Sequence, residues 1–131
     1  MTVRHAACSC GKLAVSVRGE PVRISVCHCL ACQRRTGSAF GAQARFRTAD
    51  VEITGASTAY RRIADSCNAI TFHFCPTCGS TVYYQAEDQP ELVAVTLGAF
   101  ADPQFPRPRV SVYESRKHSW VGLPDDIEHL D

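Results

Sequence analysis

Seven of the eight cysteines fall into three short clusters, and this pattern constrains the fold more than any other feature of the chain. The clusters are Cys8-Ser9-Cys10, Cys27-His28-Cys29-Leu30-Ala31-Cys32 and Cys75-Pro76-Thr77-Cys78-Gly79. Because a zinc ion takes four ligands, seven cysteines divide into one complete site and one site of three. A site with three protein ligands keeps a position open for water or a substrate.

Composition and length favour metal ligation over disulfide formation. At 131 residues the chain has the length of one domain, and its net charge of +1 gives no reason to expect nucleic acid or a membrane as a partner. No apolar run reaches the roughly 18 residues of a membrane helix, and the polar start of the chain lacks the apolar core of a secretory signal. We therefore expect a single domain over residues 1–131 in the cytoplasm, where thiols stay reduced. A small disulfide-bonded scaffold is the alternative.

Short β-rich runs bounded by glycine, proline and aspartate recur along the chain and predict a mainly β fold of antiparallel sheets with little helix. The predicted strands are Leu13–Val17, Val22–Val26, Phe40–Phe46, Val51–Ile53, Thr58–Ile63, Ala69–Phe74, Thr81–Gln85, Glu91–Leu97 and Arg109–Tyr113. One helical turn is predicted from Cys29 to Arg35. The third cysteine cluster lies between two of the predicted strands, so it should form the tip of a hairpin.

The first and third clusters complement each other as ligands of one zinc ion. The Cys75-x-x-Cys78-Gly79 sequence is typical of a tight turn, which brings two thiols to the roughly 3.8 Å separation of a zinc tetrahedron. Cys8 and Cys10 are expected on one face of an extended segment, with Cα atoms roughly 6.6 Å apart, and they fill only half of a coordination shell. We therefore predict a structural zinc on these four residues, called the four-cysteine set below. A reversible redox role for Cys75 and Cys78 is the alternative.

The middle cluster supplies three ligands from one local segment, Cys27, Cys29 and Cys32, called the three-cysteine set below. Three thiolates give a zinc ion a local charge near −1, which makes it a weak activator of water and a good acceptor for another thiolate. A thiol bound there would lose its proton at neutral pH, so the pattern points to thiol chemistry. The alternatives are a site closed by a fourth protein ligand, with Cys67 as the candidate, and a redox dithiol. His28 lies between two of the ligands and should point away from them.

Four motifs around these clusters carry a family resemblance. They are Cys27-His28-Cys29-x-x-Cys32-Gln33-Arg34-Arg35-Thr36-Gly37-Ser38, Phe74-Cys75-x-x-Cys78-Gly79-Ser80, the opening Cys8-Ser9-Cys10-Gly11 and the closing His118-Ser119-Trp120. With them the chain resembles, over nearly its whole length, the glutathione-dependent formaldehyde-activating enzyme family, which includes the centromere protein V relatives. The resemblance implies a β-tent fold and two zinc ions per chain, a structural one on the four-cysteine set and a catalytic one on the three-cysteine set.

The named reaction of that family joins formaldehyde and glutathione to give S-(hydroxymethyl)glutathione. The resemblance therefore implies a zinc-dependent carbon–sulfur lyase that acts on glutathione or another small thiol. Arg34 and Arg35 directly follow the three-cysteine set and could pair with glutathione carboxylates or offset the thiolate charge. His118 is the candidate proton donor, and Trp120 is the candidate wall of the substrate site. A non-catalytic zinc module with a structural or interaction role is the alternative function.

Overall fold

The computed structural model describes residues 1–130, which contain eleven strands and one short α-helix. In chain order the elements are β1 (Val3–Ala7), β2 (Ala14–Arg18), β3 (Arg23–Cys27), α1 (Leu30–Thr36), β4 (Gly41–Arg47), β5 (Val51–Thr54), β6 (Thr58–Ile63), β7 (Ala69–Phe74), β8 (Thr81–Ala86), β9 (Leu92–Thr96), β10 (Val110–Val112) and β11 (Glu128–Leu130). Short 3-10 helices lie at Thr48–Asp50, Leu97–Phe100 and Glu114–Arg116. None of these helices has the length and apolar character needed to cross a membrane.

The prediction of a mainly β fold with little helix is confirmed, since strands account for 42% of the structure and helices for 13%. Each predicted strand, and the predicted helical turn, coincides with an observed element to within one residue at either end. The structure adds two strands that the sequence did not indicate, β1 and β11. Strand β11 pairs in parallel with the preceding strand, β10, with Glu128 beside Val110.

The strands form two sheets. The smaller sheet has the order β1-β2-β5, and the larger has the order β11-β10-β3-β4-β9-β8-β7-β6. Most neighbours are antiparallel, as expected. The exception is one edge of the larger sheet, where β10 lies parallel to both β3 and β11.

The two faces of the larger sheet have different roles. The inner face packs on the smaller sheet around the main hydrophobic core, in which Val93 and Val95 of β9 are almost completely buried. Because side chains alternate along a strand, Ala94 points to the opposite face, which we call the outer face. There it forms a small separate cluster with Phe72 and Tyr84. The outer face is the side that carries the three-cysteine set.

The expectation of an extended segment for Cys8 and Cys10 is wrong. These residues lie in the turn that joins β1 to β2, where the Gly11 N–H donates to the carbonyl of Cys8 at 3.1 Å. The Cys8 N–H in turn donates to the carbonyl of Leu13 at 2.9 Å. Gly11 permits this tight turn because its φ is +82°, a conformation that costs glycine little.

Helix α1 lies close to β4 because a glycine faces it. A Cβ atom at Gly41 would lie 2.8 Å from a guanidinium nitrogen of Arg35 and 3.4 Å from the Cβ of Cys32. The helix is capped at its start by Cys29, whose sulfur accepts a hydrogen bond from the Cys32 N–H at 3.3 Å. Gly37 ends it in the left-handed conformation, with φ +66°. These features fix the helix, and with it Cys32, against the end of β3.

Candidate metal centres and the adjoining cavity

The four-cysteine set gathers at the tips of two hairpins, one from each sheet. Cys8 and Cys10 come from the β1–β2 turn, and Cys75 and Cys78 come from the β7–β8 turn, where the sequence predicted a hairpin tip. All four sulfurs lie within 4.8 Å of one another. The Sγ atom of Cys10 is 3.7 Å from that of Cys8 and 3.6 Å from that of Cys75. These separations match the roughly 3.8 Å of a tetrahedral thiolate site and far exceed the ~2.05 Å of a disulfide.

Hydrogen-bond donors around the four-cysteine set favour the charged form of two of its thiols, Cys8 and Cys78. The Leu13 N–H donates to the Sγ of Cys8 at 3.3 Å. Hydrogen bonds from the backbone and then from the hydroxyl of Ser80 lower the pKa of the Cys78 thiol to about 5. Because metal ions bind the thiolate and not the thiol, this set could hold a metal ion that links the two sheets.

The three-cysteine set lies where β3 ends and α1 begins. Cys27 is the last residue of β3, while Cys29 caps α1 and Cys32 lies in its first turn. The three sulfurs lie within 4.8 Å of one another, and within residues 1–130 no fourth cysteine, histidine or carboxylate joins them. Cys67, the candidate fourth ligand, is exposed in the connection before β7 and is not in the group. His28 is also outside it, in agreement with the prediction.

The thiols of the three-cysteine set act on one another. Hydrogen bonds with the Cys27 and Cys32 thiols lower the pKa of Cys29 to about 2. Hydrogen bonds with the Cys29 and Cys32 thiols raise the pKa of Cys27. The positive charge of Arg62, in β6, also favours the Cys29 thiolate. The set therefore carries negative charge at neutral pH, which suits it to a cation.

A cavity of about 530 Å³ opens on the outer face beside the three-cysteine set. Its volume lies within the range of about 300–1,000 Å³ that is usual for small-molecule sites. The three cysteines form one part of its wall, and Phe72 and Tyr84 form another. Arginines outnumber carboxylates in the lining, so the cavity has an excess of positive charge. The charged residues are Arg23, Arg45, Arg62, Arg116, Asp65 and Asp88.

The two arginines predicted to contact substrate have different environments. Arg34 is exposed and does not line the cavity. Arg35 points towards the sheet, where its guanidinium carbon lies 5.4 Å from the ring centroids of both Phe72 and Tyr84. Its Nε and Nη2 atoms are buried without a hydrogen-bond partner. The charge of Arg35 acts on the thiolate of Cys32, so this arginine is placed to offset the charge of the three-cysteine set.

The predicted proton donor and the predicted wall residue both lie outside the cavity lining. The Nε2 of His118 is 2.9 Å from the Oε1 of Gln33, and Trp120 is 73% exposed. Gln33 also donates from its Nε2 to the carbonyl oxygens of His28, at 2.9 Å, and Arg116, at 3.1 Å. His118 thus contacts helix α1 through Gln33, and the roles of His118 and Trp120 in catalysis stay predictions.

Tyr113 lines the cavity although nothing in the sequence marked it. It follows β10 with φ +57°, which is uncommon for a bulky residue. Burial raises the pKa of its hydroxyl, and the nearby charges of Cys27 and Cys29 raise it further. Tyr113 therefore keeps its proton at neutral pH. A residue that lines the cavity and keeps its hydroxyl proton is a candidate proton donor.

The fold and these sites define a class of protein: a mainly β chain with two cysteine sets that could each hold a metal ion, one of them beside a small-molecule cavity. The sequence profile of a family described as glutathione-dependent formaldehyde-activating enzyme matches residues 3–116. The chain therefore belongs to this family, and the resemblance seen in its motifs is confirmed.

Comparison with other proteins adds support for the fold. Among curated proteins, none matches the chain. The crystal structure of a Rhodobacter sphaeroides protein is similar to it, with a TM-score of 0.58 and 24% sequence identity. The match covers 80% of this chain and 92% of the Rhodobacter chain. At this level of identity the two proteins share the fold.

Proposed function

We propose that this protein is a zinc-dependent enzyme that joins glutathione to formaldehyde, as an S-(hydroxymethyl)glutathione synthase of the carbon–sulfur lyase type. Membership of the family supports glutathione and formaldehyde as substrates. One observation carries the proposal: the three-cysteine set has no fourth protein ligand within residues 1–130 and lies in the wall of a positively charged cavity. A metal ion held by these three residues would have one coordination position left for a substrate.

Both cysteine sets fit zinc, which readily takes thiolate ligands in a tetrahedron. We propose a structural zinc on Cys8, Cys10, Cys75 and Cys78, and a catalytic zinc on the three-cysteine set. When bound at the three-cysteine set, zinc supplies an open coordination position and stabilises the thiolate form of a substrate thiol. We also propose that residues 1–131 form one domain of this family, acting in the cytoplasm, where its thiols stay reduced.

The cavity supplies the electrostatic recognition of the thiol. Glutathione carries more carboxylate than ammonium groups at neutral pH, so the excess of arginines attracts it. Arg62 lies close enough for its charge to act on Cys29, so it is placed to pair with a carboxylate near the reacting sulfur. Arg35 lies against Phe72 and Tyr84 and offsets the negative charge that three thiolates bring to the site.

Tyr113 is the proposed proton donor. The substrate sulfur attacks the carbon of formaldehyde, a C–S bond forms, and the carbonyl π electrons move to oxygen. The alkoxide takes the hydroxyl proton of Tyr113, and the phenolate recovers a proton from water. If so, Tyr113→Phe should lower kcat about 100-fold and leave the dissociation constant of glutathione unchanged. Full activity in the Tyr113→Phe variant would show that another group donates the proton, and His118 would be the first candidate.

Metal analysis combined with thiol titration tests the proposed function. Purified protein should contain two zinc ions, and free glutathione should bind about tenfold or more tightly than S-methylglutathione, because only a free thiol can become a ligand. Exchange NMR should show faster formation of S-(hydroxymethyl)glutathione in the presence of the enzyme. Equal binding of the two glutathione forms would contradict the proposal. Two zinc ions that resist mild chelators would favour a non-catalytic module, and a single zinc with a reducible Cys29–Cys32 bond would favour a redox dithiol.

A further inference from the structure

A polar cluster lies in the cavity away from the three-cysteine set. Strands β3 and β4 are antiparallel, with Ser25 paired to Gln43 and Arg23 paired to Arg45. All four residues line the cavity. Because side chains alternate along a strand, they share the outer face with Cys27, whose Cα lies roughly 13 Å along β3 from that of Arg23. The cavity therefore has a second group of polar residues at a fixed distance from the sulfurs.

Gln43 leaves a hydrogen-bond acceptor unused in this cluster. The residue is only 2% exposed. Its Nε2 donates to the Oγ of Ser25 at 2.6 Å, and the Nη1 of Arg45 donates to the same oxygen at 3.0 Å. The Oε1 of Gln43 is buried without a partner, as is the Nε of Arg23. Because a buried polar atom without a partner is costly, one unused acceptor and one unused donor beside a cavity indicate a ligand that offers both a donor and an acceptor.

The charges of the cluster indicate what kind of acceptor is needed. Arg23 and Arg45 face each other across paired strands, and like charges in that position are destabilising. Within residues 1–130 neither of them forms a salt bridge. The charge of Glu128, in β11, acts on Arg23 only from a longer distance. An anionic ligand group would relieve this repulsion.

We propose that Arg23, Arg45 and Gln43 bind the α-amino acid headgroup of the thiol substrate. The carboxylate pairs with the two arginines, and the ammonium donates to the Oε1 of Gln43. This inference rests on the proposed function, since it places the sulfur of the same molecule at the three-cysteine set.

The reach of the ligand selects the γ-glutamyl class of thiols. In such a thiol, seven bonds separate the sulfur from the carbon that carries both the ammonium and the carboxylate, a span of roughly 9 Å when extended. In cysteinylglycine the ammonium is carried by a carbon only two bonds from the sulfur, and the free carboxylate is on the glycine residue. The ammonium therefore cannot reach Gln43 while the sulfur binds the metal. The cavity therefore distinguishes between thiols mainly by the γ-glutamyl end of glutathione and less by its glycine end.

Two dipeptides test this inference on the zinc-loaded protein. γ-Glutamylcysteine keeps the distant headgroup and lacks glycine, whereas cysteinylglycine has the reverse. By calorimetry γ-glutamylcysteine should bind about tenfold or more tightly. Gln43→Met and Arg23→Met should each reduce this preference to about threefold or less, with zinc content and cysteinylglycine affinity unchanged. Arg47→Met is the matched control, because Arg47 is exposed at the end of β4, outside the cavity lining, and the preference should survive.

The outcomes separate the headgroup site from the proposed function. Equal affinity for the two dipeptides, or a preference that survives both cavity substitutions, would overturn the headgroup site. S-Methyl-γ-glutamylcysteine tests the sulfur end alone. This analogue could bind as tightly as γ-glutamylcysteine, and Gln43→Met could weaken the binding of both compounds. That result would support the headgroup site and contradict metal ligation by the substrate sulfur. N-Glutarylcysteine, which has the carboxylate but no ammonium, should bind the wild type more weakly than γ-glutamylcysteine and should lose nothing further in Gln43→Met. Tight binding of this analogue to the wild type would overturn the role of Gln43.

Discussion

Cys29 combines two functions that are separable by mutation. Its sulfur belongs to the three-cysteine set, and it also accepts the hydrogen bond that caps α1. Cys29→Ala should lower the zinc content from two ions to one and abolish thiol binding, because two thiolates do not hold the ion. The lost cap should cost only about 1 kcal/mol of stability, so circular dichroism should show a folded protein.

A matched cysteine substitution controls for general effects on the thiols. Cys67 is exposed and belongs to neither cysteine set, so Cys67→Ala should keep both zinc ions and glutathione binding. Unchanged glutathione binding in Cys29→Ala would refute the proposed ligand site.

Two arginines offer a second contrast at the scale of single residues. Arg62 lines the cavity, whereas Arg34 is exposed outside it. Arg62→Ala should weaken glutathione binding about tenfold, because a charge-assisted hydrogen bond to a carboxylate is lost. Arg34→Ala should change it by about twofold or less, as is usual for a solvated surface charge. Calorimetric titration measures both, and a larger effect at Arg34 would restore the role that the sequence suggested for it.

Gly55 shows how one turn supports the smaller sheet. It follows β5 with φ +98°, and a Cβ there would lie 1.9 Å from the carbonyl oxygen of Lys12, next to the start of β2. Gly55→Ala should therefore lower the free energy of unfolding by about 2–4 kcal/mol, from backbone strain and the separation of two paired strands. Denaturant titration measures the change. Gly98→Ala, where nothing lies within 4 Å, should cost less than about 1 kcal/mol, and a similar loss at both positions would contradict the steric explanation.

The elements differ in how far sequence could predict them. Strands such as Thr58–Ile63 and Ala69–Phe74 were predicted because alternating side chains and bounding turns are local signals. Strand β11 was missed because it has only three residues and is parallel to its partner β10, so no hairpin turn between the two strands marks it in the sequence. The backbone of Cys8 and Cys10 was predicted wrongly, yet their grouping with the third cluster was not affected. That grouping depends on two thiols converging on one ion, which both an extended segment and a turn allow.

The cavity could not be predicted from the sequence. Its lining runs from Arg23 to Leu130, and the residues meet only because of the strand order and register of the larger sheet. Gln43 illustrates the difficulty: in the sequence it is an ordinary polar residue of a strand, and its buried, unpaired oxygen follows from its pairing with Ser25. The three-cysteine set was predictable because its residues are close in the chain.

At the scale of the whole molecule, a zinc ion on the four-cysteine set would link the two sheets. The sheets also meet through the hydrophobic core and through a hydrogen bond of 3.0 Å between the hydroxyls of Ser9 and Ser80. A structural zinc contributes about 10–16 kcal/mol in small peptides, which is comparable with the whole stability of a domain, about 5–15 kcal/mol. Cys78→Ser should therefore give insoluble or unfolded protein, whereas Cys29→Ala stays folded. Soluble yield, circular dichroism and zinc content measure this contrast. A folded Cys78→Ser variant with both zinc ions would show that this site is not needed for the fold.

The two halves of the four-cysteine set are also separated in time during synthesis. Cys10 and Cys75 are 65 residues apart, and at about 5–20 residues per second a ribosome needs roughly 3–13 seconds to cover that distance. The three-cysteine set is finished within a few residues, so it can capture a metal ion while the chain is still growing. Until Cys75 and Cys78 have been made, Cys8 and Cys10 lack the other two ligands of their site, and their thiols are open to oxidation. Newly made chains should therefore be most vulnerable to oxidants and to zinc shortage before the second hairpin emerges.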